Sequence, residues 1–140
     1  MDSLQRTLND QSNHLTVHYS TPKMNQKQRI KENQGLRDSF TRTYPEGCIK
    51  YSNTGILHFR VLCELLHWFK KEGYECWTEA NLNGGGRADL ICIKGEHGFI
   101  EEVLCSESED RYALKMNTYP DNFRMIKIYA KEFNYDTFKL

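Results

Sequence analysis

From residue 52 onward the apolar positions fall into clear periods, whereas residues 1–50 are rich in Asn, Gln, Ser, Thr and Lys and hold few large apolar side chains. The first stretch reads as a polar, flexible arm with local helix around Gln26–Asn33. The folded unit, residues 51–140, begins near Tyr51. Leu57, Val61, Leu62, Leu65, Trp68 and Phe69 recur at helical spacing and predict an amphipathic helix from about Gly55 to Lys71. Ser52, Asn53 and Thr54 are its candidate caps, Lys70 and Lys71 suit the negative end of its dipole, and Gly73 is a natural stop. Tyr74–Glu79 and Arg87–Lys94 then read as the two strands of a hairpin, with Asn83-Gly84-Gly85-Gly86 as its turn. Lys94–Gly98 is a second turn, leading into a third strand, Phe99–Cys105. Ser106 or Ser108 can cap a second helix to about Asn117, closed off by Pro120, and Phe123–Ala130 alternates into a fourth strand. The tail, Lys131–Leu140, is aromatic but too short to place.

The order is helix, three strands, helix, strand. A strand reached through a helical crossover returns beside the sheet, so the expectation is an α/β domain with a mixed four-stranded sheet flanked by helices. At 140 residues there is room for one such domain.

Two of these strands carry acids where a plain core strand would carry Val or Ile. Asp89 lies in Arg-Ala-Asp-Leu-Ile-Cys-Ile, and Glu101 and Glu102 lie in Phe-Ile-Glu-Glu-Val-Leu. Desolvating a carboxylate costs several kcal/mol unless something compensates it, and a divalent metal is the usual compensation. Successive strand residues face opposite ways, so only one of Glu101 and Glu102 can join Asp89. Phe99, Glu101 and Val103 share one face and Ile100, Glu102 and Leu104 the other; the alternation does not choose between them.

Charge and cysteine content narrow the classes. Net charge is zero, but residues 1–50 hold eight Lys/Arg against five Asp/Glu, and residues 51–140 hold eleven against fourteen. A mildly basic arm before a mildly acidic domain does not suit a nucleic-acid packaging protein, and it is compatible with an acidic pocket neutralised by metal. The five cysteines are odd in number and show no C-x-x-C spacing, which supports neither a disulfide framework nor a zinc knuckle. Most of them sit in apolar surroundings and read as reduced core thiols of a cytoplasmic protein. With no apolar leader and no run of about 18 apolar residues, secretion and membrane spanning are not expected.

The element order, with Asp89 on the second strand and Glu102 on the third, resembles the PD-(D/E)XK nuclease superfamily, the restriction-endonuclease-like fold, over roughly residues 55–130. The resemblance implies an αβββαβ core in which Asp89 and Glu102 bind Mg²⁺ or Mn²⁺ and phosphodiester bonds of DNA are hydrolysed. Glu102 followed by Val103 is the better match to the second acid, and Glu101 is the rival. The lysine that the motif places two residues after that acid is absent: Leu104 and Val103 stand there. Some members move it to the following helix, where Lys115 is suitably placed. The chain is also similar to small nuclease-like proteins with a His in the first helix, a Glu after the first strand and a Lys before Tyr-Pro. Those positions are His58, Glu79, Lys115 and Tyr119-Pro120 here.

By this reading Asp89 and Glu102 are metal ligands with Glu79 as a third. Lys115 activates the water or stabilises charge, and His58 and Arg87 sit at the rim, Arg87 as a phosphate contact. Each has a plainer reading: Asp89 as a partner of Arg87, Glu102 as a surface strand residue, Glu79 as a solvated strand end, Lys115 as a solvated helix face, His58 as a packed or capping side chain. Gly84-Gly85-Gly86 lacks the following Gly-Lys-Ser/Thr of a phosphate loop and reads as a turn. Phe133, Tyr135 and Phe138 could stack on bases, but packing against the domain is the better account. A chain this small has little surface for reading a long base sequence, so cleavage is expected to be structure-dependent or partner-directed, with a homodimer as one way to cut both strands. The competing expectations are a non-cutting nucleic-acid-binding or assembly module, and a small interaction protein of a virus or mobile element. RNA in place of DNA stays open.

Overall fold

The computed structural model describes residues 15–19, 35, 37–51, 54–95, 97–105, 111, 114, 119 and 124–140. The chain is α/β. Helix α1 (Ile56–Lys71) lies on a sheet of β1 (Leu15–Tyr19), β2 (Phe40–Thr41), β3 (Glu75–Leu82), β4 (Arg87–Lys94), β5 (His97–Leu104) and β6 (Arg124–Tyr129). The spatial order is β1-β6-β5-β4-β3-β2. The β5–β6 pair is parallel, as a crossover connection requires, and the other pairs are antiparallel.

The sheet has six strands where the hydrophobic pattern predicts four. The extra two, β1 and β2, come from residues 1–50 and close opposite edges of the sheet by pairing with β6 and β3. Neither carries an apolar run long enough to announce itself, and what defines them is the neighbouring strand. The second predicted helix, 106–117, lies outside the described residues apart from Arg111 and Leu114. Among the described residues no helix is long and apolar enough to cross a membrane.

Helix α1 buries Val61, Leu62, Leu65, Leu66 and Phe69 against Cys76, Leu90, Cys92, Phe99, Val103, Ile126 and Ile128 of the sheet. It ends as Gly73 predicts. With φ at 93°, Gly73 donates its N–H to Lys70 O at 3.0 Å, and Tyr74 donates to Phe69 O at 3.0 Å, the two bonds of a Schellman turn. The start differs from expectation. The N-cap is Gly55 with no side-chain cap, and the Thr54 hydroxyl meets His58 Nδ1 instead, at 3.1 Å.

The C-terminal stretch packs on the helix. Phe138 is buried with its ring 4.7 Å from Trp68 and 6.1 Å from Phe69, and Phe133 leans on it at 5.4 Å. Tyr135 meets His67 through its hydroxyl at 2.7 Å. These aromatics are spent on packing, as the sequence favoured. The opposite face of the sheet gathers Phe40, Trp77, Ala80, Leu82, Ala88, Ile91, Ile93, Ile100, Tyr119 and Met125 into a second core. All five cysteines are free.

Candidate functional site

The β3–β4 hairpin departs from regular geometry at one rung. Pairing runs from Glu75↔Ile93 to Thr78↔Leu90, omits Glu79 and Asp89, and resumes at Ala80↔Ala88. Glu79 adopts φ 50°, the one described non-glycine residue in the left-handed region. Strict alternation would put Ala80 opposite to Trp77 in facing, and Ala88 opposite to Ile91. All four nevertheless share the second core, so both strands switch faces at this rung. The Thr43 hydroxyl fastens the kink by donating to Glu79 O at 2.8 Å.

The next pair of strands opens at the same level. The β4–β5 ladder ends at Leu90↔Glu101, so Asp89 and Glu102 face each other without a main-chain rung between them. Side chains take over. Asp89 Oδ2 accepts the Val103 N–H at 2.8 Å, and the Asp89 N–H reaches Glu102 Oε2 at 3.3 Å. His58 approaches from α1, its Nε2 3.3 Å from Asp89 Oδ2. A neutral His58 carrying its proton on Nε2 donates to Asp89 and accepts the Thr54 hydroxyl at Nδ1. Asp89 and His58 are 19% and 13% exposed, open enough for a small ligand to reach both. Among the described residues, the contacts of the Asp89 carboxylate with Val103 and His58 both fall on Oδ2.

Glu102 is fully buried on the second-core side, where the Tyr119 hydroxyl meets its Oε2 at 2.7 Å and Arg87 O at 3.1 Å. Lys127 is its register partner on β6. The alternation that sends Ile126 and Ile128 toward α1 turns Lys127 to the face of Glu102, and it too is buried, with its ammonium 5.4 Å from the Tyr129 ring. Nothing in the local pattern around Lys127 announces this placement; the parallel register with β5 supplies it.

Glu101 turns the other way, into the core beneath α1. It is fully buried, its Oε1 3.8 Å from Cys92 Sγ, and its Oε2 has no hydrogen-bond partner among the described residues. Burial raises its carboxyl well above the usual range; the nearby Cys76 adds to the rise, the Cys92 hydrogen bond opposes it, and Asp89 adds further. Cys76 and Cys92, paired across β3 and β4, bring their sulfurs to 3.3 Å.

The structure therefore brings Asp89, Glu102 and His58 together, with Glu79 on the rung opposite Asp89. Arg87 lies at the exposed edge, 59% open, its Nη1 3.6 Å from Glu79 Oε1. Lys115 lies outside the described residues. Among the described residues no three His, Cys, Asp or Glu side chains converge as metal ligands in this arrangement. No protein-family model matches the chain, and neither a curated protein nor a solved structure matches it well enough to carry an argument.

Proposed function

We propose that this chain is a small Mg²⁺- or Mn²⁺-dependent nuclease that hydrolyses phosphodiester bonds in DNA on a restriction-endonuclease-like fold. The observation that supports it is the meeting of Asp89 and Glu102 where the β4–β5 ladder opens, with Glu79 across the adjoining rung. Where the strands part, the Asp89 carboxylate stays partly open at 19% exposure, while Glu102 lies buried beside it.

The donor set suits a hard cation in kind. Mg²⁺ takes oxygen ligands and keeps several waters, so Asp89, Glu102 and a phosphate oxygen suffice, with Glu79 as a third carboxylate. When bound, such an ion supplies positive charge against the charge that develops on the phosphate. The chain's own residues do the rest. His58 orients a water or phosphate oxygen beside Asp89, and Arg87 reaches a neighbouring phosphate. The ammonium is assigned to Lys115, with Lys127, the register neighbour of Glu102, as its competitor. Substrate choice rests on DNA structure or on a partner, and two copies would cut two strands.

One observation favours a second reading. The Asp89 and Glu102 carboxylates both hold main-chain N–H groups, a structural use that a non-cutting nucleic-acid-binding or assembly module would retain. The deciding experiment is cleavage of labelled linear, circular and branched DNA with Mg²⁺ or Mn²⁺, with Asp89→Ala protein and EDTA in parallel. Cutting that both controls abolish supports the nuclease. Intact DNA under every condition with folded protein transfers the proposal to the binding module.

A further inference from the structure

We infer that Tyr119 is a positioning residue whose hydroxyl acts as a two-position latch on Glu102, setting how readily that carboxylate is released to a divalent cation. The inference rests on the nuclease reading. Its starting point is that one hydroxyl touches both sides of the open rung: Glu102 Oε2 on β5 at 2.7 Å and Arg87 O on β4 at 3.1 Å.

A phenol has one proton to give. The shorter contact takes it, so in this arrangement Tyr119 donates to Glu102. When a cation draws the Glu102 oxygen away, the same proton turns to the Arg87 carbonyl. The buried hydroxyl then has an acceptor in both positions. Without the second acceptor, releasing Glu102 would forfeit the Tyr119 hydrogen bond with nothing in return. The second acceptor keeps Glu102 held in one state and inexpensive to release in the other.

Position and chemistry are separable here. The Tyr119 ring is buried in the second core with Ile91, Ile100 and Met125, so apolar packing holds the ring whether or not the hydroxyl is present. Groups that orient a metal ligand from behind typically change metal affinity or activity by about 10–100-fold when removed.

The test compares wild-type protein with Tyr119→Phe, measuring Mn²⁺ affinity directly by calorimetry without DNA, the Mn²⁺ concentration for half-maximal cleavage, and thermal stability. Tyr119→Phe is expected to stay folded, to shift both Mn²⁺ readouts by about tenfold or more, and to approach the wild-type rate at saturating Mn²⁺. A merely structural role would move the melting temperature and leave both Mn²⁺ readouts in place, and that result overturns the inference. If Tyr119→Phe does not fold, 3-fluorotyrosine at position 119 keeps the hydroxyl and makes it a stronger donor; unchanged Mn²⁺ affinity there overturns the inference equally. The two failures are distinct. A wild-type protein that neither binds Mn²⁺ nor cuts DNA removes the nuclease reading together with the latch, whereas a cutting wild type with an indifferent Tyr119→Phe removes the latch alone.

Discussion

Asp89 and Glu102 stitch together the strands that their own rung fails to join: the Asp89 carboxylate accepts the Val103 N–H at 2.8 Å, and the Asp89 N–H reaches Glu102 Oε2 at 3.3 Å. A carboxylate that replaces a ladder bond is both a structural and a chemical group. Substitutions at this point separate the two uses.

Asp89→Ala leaves the Val103 N–H without its acceptor and is expected to cost about 1–3 kcal/mol of stability. Asp89→Asn retains an acceptor oxygen and should cost under about 1 kcal/mol. Cleavage should disappear in both. Urea denaturation alongside the DNA assay checks this, and an Asp89→Asn protein that still cuts at the wild-type rate would count against the metal role.

Glu79 holds a left-handed backbone conformation that costs a non-glycine residue about 1–2 kcal/mol. Its ion pair with the exposed Arg87 returns little of that. Glu79→Gly is therefore expected to match or exceed wild-type stability, by up to about 1 kcal/mol, while cleavage falls. A residue whose removal stabilises the protein and lowers its activity is held for function. Lower stability without loss of cutting would show that the kink serves the fold alone.

The Thr54 hydroxyl and the Asp89 carboxylate fix opposite nitrogens of His58. Thr54→Val should leave stability within about 1 kcal/mol but lower cleavage several-fold, because the ring loses the bond that sets its orientation. His58→Ala should lower it further. Equal rates for wild type and Thr54→Val would show that His58 needs no such orientation.

Glu101 supplies the pH dependence. Burial raises its folded-state pKa, so the folded protein keeps a proton that the unfolded chain releases above about pH 4.3. Stability in EDTA should accordingly fall as pH rises above that value, by up to about 1.4 kcal/mol per pH unit while Glu101 stays protonated. Glu101→Gln has nearly the same shape and cannot ionise. It should flatten this contribution and be the more stable protein at pH 8. Denaturation midpoints that run parallel for the two proteins across pH would refute it.

What the sequence determined by itself are the parts governed by local periodicity and local chemistry. Helix α1 follows from the spacing of Val61, Leu62, Leu65 and Phe69, its end from Gly73, β4 from the apolar run between Arg87 and Lys94, and the hairpin from three consecutive glycines. The acids on apolar strands are likewise visible in the sequence itself. Tertiary structure decided everything that depends on a neighbour. Glu101 and Glu102 are adjacent and equally placed by alternation, and only the packing of α1 on one face of β5 sends Glu101 into the core and leaves Glu102 beside Asp89. The face switch at Glu79 has no periodic signature, because it consists of two strands breaking alternation together. Tyr119 reaches Glu102 from 17 positions away, and Lys127, 25 positions away, becomes its register partner, through a contact and a register that a window along the chain does not contain. β1 and β2 are strands because β6 and β3 offer them unpaired edges, and an edge exists only once the sheet has formed.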